Sequence, residues 1–194
     1  MNCLKAELDK VFKNEIITDL LKVLGCGVEV KSKANKDLAT FDLSLLRWSK
    51  IIICTDADVD GFQIRTLILT MLYSLAPTLI REGKVFIAET PLYEINCKND
   101  TYFAYNDAEK ADVLEKLGDV KYTIQRSKGL GENDPEMMSL TTMNPATRRL
   151  VKVEPEDEAA TEWMFDVLLG DNLAGRKEFI ADRGGLYLEM VDVS

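Results

Sequence analysis

Leu8, Val11, Phe12, Ile16, Leu20, Val23 and Leu24 recur at helical intervals, and Gly25 supplies a stop. Asn14 ahead of Glu15 offers a cap, so the stretch reads as two short helices. Residues 31–36 are polar and read as a loop. Ile51-Ile52-Ile53-Cys54 is a short β-branched run, the pattern of a strand buried on both faces in a parallel sheet. Ile64, Leu67, Ile68, Met71, Leu72, Leu75, Ala76 and Leu79 then follow at helical spacing. Pro77 should kink or restart that helix and Gly83 should close it.

A second strand is expected over Val85 to Ala88. Leu92 to Cys97 and Thr101 to Tyr105 flank Lys98-Asn99-Asp100 as a hairpin. Ala108 to Leu117 reads as helix and Tyr122 to Gln125 as strand. Such alternation is that of an α/β layer fold. Beyond Gln125 come a glycine-rich loop, Arg126 to Glu132, and a helix start at Asp134-Pro135-Glu136. Ala160, Trp163, Met164, Val167 and Leu168 form one apolar helix face that ends at Gly170. The expected division is an α/β domain over 1–120 and a mostly helical tail over 121–194 that docks back on it.

Charge and composition narrow the chemistry. The chain has no histidine, which removes Ser-His-Asp and Cys-His catalysis and His-ligated zinc. Its net charge of −9 argues against nonspecific wrapping of nucleic acid, so a DNA contact needs a local basic patch or a bound cation. Cys3, Cys26, Cys54 and Cys97 show neither a CxxC pair nor zinc spacing and read as reduced thiols. No apolar stretch reaches the roughly 20 residues that span a membrane, and the charged N-terminus does not read as a signal peptide. A cytoplasmic location is expected.

Asp56, Asp58 and Asp60 carry the strongest chemical signal. In extended backbone, alternate side chains share a face, so three carboxylates at a strand's end could converge. Mg²⁺ would resolve their mutual repulsion, and Mn²⁺ could replace it. The bland alternative is a solvated acidic turn punctuated by Gly61. An EF-hand is rejected, since its twelfth position would be Leu67 rather than Glu. A strand followed by DxD also fits an aspartyl-nucleophile phosphatase. In the loop Arg126-Ser127-Lys128-Gly129-Leu130-Gly131, glycines let amides approach phosphate and the basic residues add charge; a plain strand-to-helix turn fits equally well. Arg148, Arg149 and Lys152 form a basic cluster, whose ordinary role is a solvated face or pairing with Glu154 and Glu156.

Taken together, Ile51–Ile64 (IIICTDADVDGFQI), Arg65-Thr66-Leu67, Glu89–Ile95 (ETPLYEI), Ser127–Glu132 (SKGLGE), Thr141–Leu150 (TTMNPATRRL) and Leu169-Gly170-Asp171 resemble the B subunit of bacterial gyrase and topoisomerase IV in order and spacing. The resemblance runs from about residue 1 to about residue 182. It implies a TOPRIM fold, a small parallel sheet flanked by helices, with Mg²⁺ at Asp56, Asp58 and Asp60. It implies double-stranded DNA as substrate and an A subunit whose tyrosine is the nucleophile. Lys128, Arg126 and Gln63 are the expected DNA contacts.

Three departures refine this expectation. The family's EGDSA-like motif with its catalytic Glu does not occur here, and neither does the ATP-binding domain. The chain is therefore expected to be a fragment without a complete catalytic site, ATP belonging to the missing N-terminal part. The family pattern DGSHIR is DGFQIR here, so Phe62 and Gln63 stand where Ser and His are usual. Ser127 stands where an aromatic residue usually precedes Lys128. Two alternatives are a stand-alone TOPRIM nuclease and a non-catalytic scaffold.

Overall fold

The computed structural model describes residues 1–31, 33, 38–56, 58–98, 100–127, 129–155 and 157–190, apart from the side chains of 132, 189 and 190. Most of the polar loop expected over 31–36 lies outside the described residues. The chain forms two compact units that interleave along the sequence. One comprises Met1–Ile51, Thr66–Val85 and Val153–Ser194, and the other comprises Ile52–Arg65 and Phe86–Lys152. This partition follows a different line from a linear boundary at Val120.

In the first unit, α1 (Leu8–Val11) and α2 (Glu15–Leu24) are separate helices because Asn14 intervenes. Its carboxamide oxygen accepts the Ile17 N–H at 3.1 Å, and Gly25 ends α2 in the left-handed region at φ +82°. The face that packs inward carries Ile17, Leu21 and Leu24, while Ile16 is 73% exposed and Leu20 and Val23 are exposed as well. Both stripes satisfy helical spacing, so periodicity alone does not select the buried one. Helix α3 (Val59–Leu75) stops before Pro77, and α4 (Thr78–Arg81) restarts beyond it. Met71, Leu72, Leu75, Ala76, Leu79 and Ile80 are all buried.

Helices α6 (Glu158–Leu169) and α7 (Leu173–Arg183) belong to the same unit. Tyr73 and Phe165 stack with centroids 4.2 Å apart and planes 7° from parallel. Arg81 pairs with Glu158 at 2.9 Å. The Asn2 amide donates to the Leu169 carbonyl at 2.8 Å, and the Arg176 guanidinium donates to the carbonyls of Val167 and Gly170. Val167 is fully buried, whereas Trp163 and Leu168 of the expected apolar face remain exposed.

The second unit is built on sheets. Strands β1 (Ile51–Ile53), β2 (Val85–Glu89) and β6 (Arg149–Lys152) form one sheet in the order β1-β2-β6. β6 runs antiparallel to β2, with Ile87 opposite Val151 and Glu89 opposite Arg149, so a purely parallel sheet does not hold. The sequence pattern reads the tail as helical and gives no sign of β6. β3 (Tyr93–Cys97), β4 (Asp100–Ala104) and β5 (Thr123–Arg126) form an antiparallel sheet in the order β4-β3-β5. Tyr93, Ile95 and Ala104 are its buried centre, with Val113, Leu114 and Leu117 of α5 (Asp107–Leu117) packed against them. The fold is thus mixed α/β, with a helical C-terminal region.

A basic side chain outside the acidic run also finds its partners in this unit. Arg149 pairs with Glu109 at 2.7 Å and lies 3.8 Å from the Tyr105 ring centroid. Its partner is therefore a residue of α5, not Glu154. Glu156 lies outside the described residues. The Arg149 hydrogen bond holds the Glu109 carboxyl below its usual range, partly opposed by burial.

Candidate metal and nucleic-acid site

The three isoleucines of β1 deliver the chain to Cys54, Thr55 and Asp56, after which the extended path soon ends. Asp58 immediately precedes α3 and caps it: its Oδ1 accepts the Gly61 N–H at 2.7 Å, and its carbonyl accepts the Phe62 N–H at 3.0 Å. Asp60 lies in the first helical turn. The alternation expected of an extended strand therefore does not apply through Asp60, because capping hydrogen bonds have turned the backbone into a helix. Asp56 is half-buried, and Asp58 and Asp60 are exposed.

Gly61 makes this turn possible. A Cβ built there would lie 2.1 Å from the Asp56 carbonyl oxygen and 2.7 Å from its carbon. Only a residue without a side chain lets the first turn of α3 rest on that peptide. Gly61 is thus a close-approach glycine as well as punctuation.

Asp56 is also the point where the two sequence motifs meet. Its Oδ1 accepts the Leu130 N–H at 2.6 Å, across 74 residues of chain. A Cβ on Gly129 would lie 3.2 Å from the same carboxylate. Within the second unit, then, the acidic run and the glycine loop form one surface. Ser127 anchors the near side of the loop, donating its N–H to the Leu92 carbonyl at 2.9 Å and its hydroxyl to Asn133 Oδ1 at 2.5 Å. Lys128 lies outside the described residues. Arg126 ends β5 and is exposed, and its positive charge helps to lower the Asp107 carboxyl, behind the larger effects of Lys110 and Tyr93. Gln63 is exposed on the first turns of α3.

The donor chemistry can be tested directly. Among the described residues, no group of three Cys, Asp or Glu side chains is arranged to hold a metal ion. Asp56 and Asp58 each have one carboxylate oxygen committed to a backbone N–H and one outside that bond. Mg²⁺ commonly takes one or two carboxylates and fills its sphere with water and phosphate oxygen. The residues present fit such an open, water-rich site. They do not form an all-protein cage.

Sequence reasoning missed a third feature of this surface. The Arg65 guanidinium lies 4.7 Å from the Phe62 ring centroid. Arg65, Phe62, Asp56, Thr55 and Tyr105 all line one cavity of about 410 Å³. The i,i+3 spacing of an aromatic and a cation on a helix was the available signal. Behind it, burial pushes the Cys54 thiol up, the neighbouring Thr90 hydroxyl opposes this, and Asp56 adds to it. The thiol is accordingly a packing group at neutral pH.

Residues 7–90, which carry the acidic strand end and the helix that follows it, match the Toprim domain. Residues 119–181 match the DNA gyrase B subunit carboxyl terminus. Carrying both matches in this order, the chain is similar to DNA gyrase B subunits. It is 41% identical over 193 residues to the DNA gyrase B subunit of Thermotoga maritima, covering 100% of this chain and 29% of that protein. With the Clostridium acetobutylicum gyrase B subunit it shares 46% over 184 residues, 94% of this chain and 28% of the relative. The Thermus thermophilus gyrase B subunit is 41% identical over 182 residues, again 94% and 28%. The chain spans less than a third of the length of these relatives. No helix among the described residues is long and apolar enough to cross a membrane.

Proposed function

We infer that this chain serves the DNA cleavage and religation centre of an ATP-dependent type IIA topoisomerase, as part of a gyrase B subunit. The reading rests chiefly on the Asp56–Leu130 hydrogen bond, which joins the acidic run to the glycine loop in one surface. Asp56, Asp58 and Asp60 are the ligands proposed for Mg²⁺ or Mn²⁺. When bound, such a cation would supply Lewis acidity at a phosphodiester. The chain's own residues hold the acidic turn in place through the Asp58 cap and the Gly61 contact, and they aim the glycine loop at it. Lys128, Arg126 and Gln63 are the proposed DNA contacts, positioning the duplex without reading sequence. The nucleophilic tyrosine belongs to the A subunit, ATP to another part of the B subunit, and the assembly works in the cytoplasm.

The test uses Mn²⁺ relaxation or calorimetry with Asp58→Asn and Asp60→Asn. Asn caps a helix as well as Asp does, so Asp58→Asn removes charge while keeping the turn. Both variants should weaken Mn²⁺ binding at unchanged melting temperature. Identical binding in wild type and both variants would sink the metal site. The absence of a three-carboxylate group among the described residues favours a second reading, a scaffold in which these aspartates are only structural. The same titration decides between the two. A stand-alone nuclease would instead show metal-dependent nicking by the purified chain, abolished by Asp58→Ala.

A further inference from the structure

The cavity beside Asp56 contains a cation that the metal site does not use. Arg65 is half-buried on α3, on the cavity wall, with its guanidinium carbon 4.7 Å from the Phe62 ring centroid. Among the described residues no carboxylate lies within ion-pair distance of it. Arg149, which also lies over an aromatic ring, is by contrast paired with Glu109. A partly desolvated guanidinium whose donors are uncommitted to any carboxylate among the described residues is suited to a planar or tetrahedral oxyanion.

The geometry points to Arg65 as a phosphodiester-binding residue of this site, held in place by Phe62. This rests on the proposed DNA-cleavage role. Arg65 supplies a fixed charge next to the acidic turn, where the chain has no histidine to titrate. Phe62 acts through Arg65: its ring restricts the guanidinium to the cavity wall and does not itself touch the phosphate. The contact is sequence-independent, because a guanidinium on a phosphate reads no base edge.

The experiment uses the full-length B subunit paired with an A subunit, a nonspecific duplex, and binding measured across a salt series. Arg65→Gln should reduce the slope of log affinity against log salt by about one unit. Arg65→Lys should restore the slope, since it restores the charge. Phe62→Leu should leave the slope intact and weaken binding about two- to fivefold, the range of an exposed cation–π contact. Melting temperatures separate this from misfolding, because a purely structural Arg65 would lower stability without touching the slope. An unchanged slope in Arg65→Gln, with wild type binding and cleaving normally, overturns the inference and leaves the topoisomerase reading standing. A wild-type assembly that neither binds nor cleaves DNA overturns both.

Discussion

Substituting Gly61 by Ala tests whether the acidic turn is built on a backbone contact. The added Cβ would sit 2.1 Å from the Asp56 carbonyl oxygen, a contact that real side chains do not show below 3.0 Å. The obstacle is backbone on both sides, so relief requires the start of α3 to retreat by about 1 Å in a close-packed setting. Overpacking of this kind costs about 1–3 kcal/mol. Ala gains about 1 kcal/mol over Gly in helix propensity, and the strained Asp58 cap loses about as much. The net expectation is a loss of about 1–3 kcal/mol, or roughly 3–10 °C in melting temperature for a chain this size. Gly131 is the control, because a Cβ there meets nothing within 4 Å. Gly131→Ala should be neutral or slightly stabilising, by up to about 1 kcal/mol. Thermal melts followed by circular dichroism, with Mn²⁺ relaxation as the functional readout, compare the two. If Gly61→Ala melts within about 1 °C of wild type, below the usual cost of a strained substitution, the argument from close approach is wrong.

Other outcomes follow from the same geometry. Removing the Asp58 cap with Ala should cost about 1 kcal/mol of stability, whereas Asn should not, as denaturant titration would show. The Glu109 carboxyl is held low by Arg149, so its stabilising contribution is full above the unfolded value near 4.3 and is lost as pH falls through the folded value. Glu109→Gln should therefore be less stable than wild type at pH 7, by about 0.5–1 kcal/mol, with the difference vanishing toward pH 3; a pH-independent gap would contradict this. Lys128→Ala in the assembly should lower the DNA salt slope by about one unit, and an unchanged slope would make the loop merely a turn. Gln63→His should preserve or raise DNA cleavage by an active holoenzyme, and a tenfold drop would count against a DNA-facing Gln63.

Much of the fold was legible where local chemistry is strong. Asn14, Gly25, Pro77 and the Lys98 turn set element ends through capping and backbone restriction, and those ends appear where expected. β6 was illegible because Arg149-Leu150-Val151-Lys152 has charged ends and no alternation; pairing with β2 makes it a strand. The buried stripe of α2 was ambiguous because two adjacent stripes are apolar, and tertiary packing alone chooses between them. At the site, residue types and motif spacing singled out Asp56 and the glycine loop as candidates. Their hydrogen bond was not readable, since nothing local specifies a contact across 74 residues. The helical position of Asp60 was misjudged because the Asp58 cap and the apolar run after it were not combined into a helix beginning at Val59.

The Asp56–Leu130 hydrogen bond also has a thermodynamic consequence. Asp56 Oδ1 satisfies the loop amide, and on the proposed reading the same oxygen would also be open to a cation, so that strengthening one role would weaken the other. Whatever free energy a cation spends in loosening Leu130, the loop must return when it presses back on Asp56, since coupling between two binding events is reciprocal. On the proposed reading, occupancy at the acidic turn and engagement of the loop by a phosphate backbone would be linked variables. A duplex that draws the loop away frees a carboxylate oxygen for the metal, so cation affinity would rise when DNA is seated, with no further moving part.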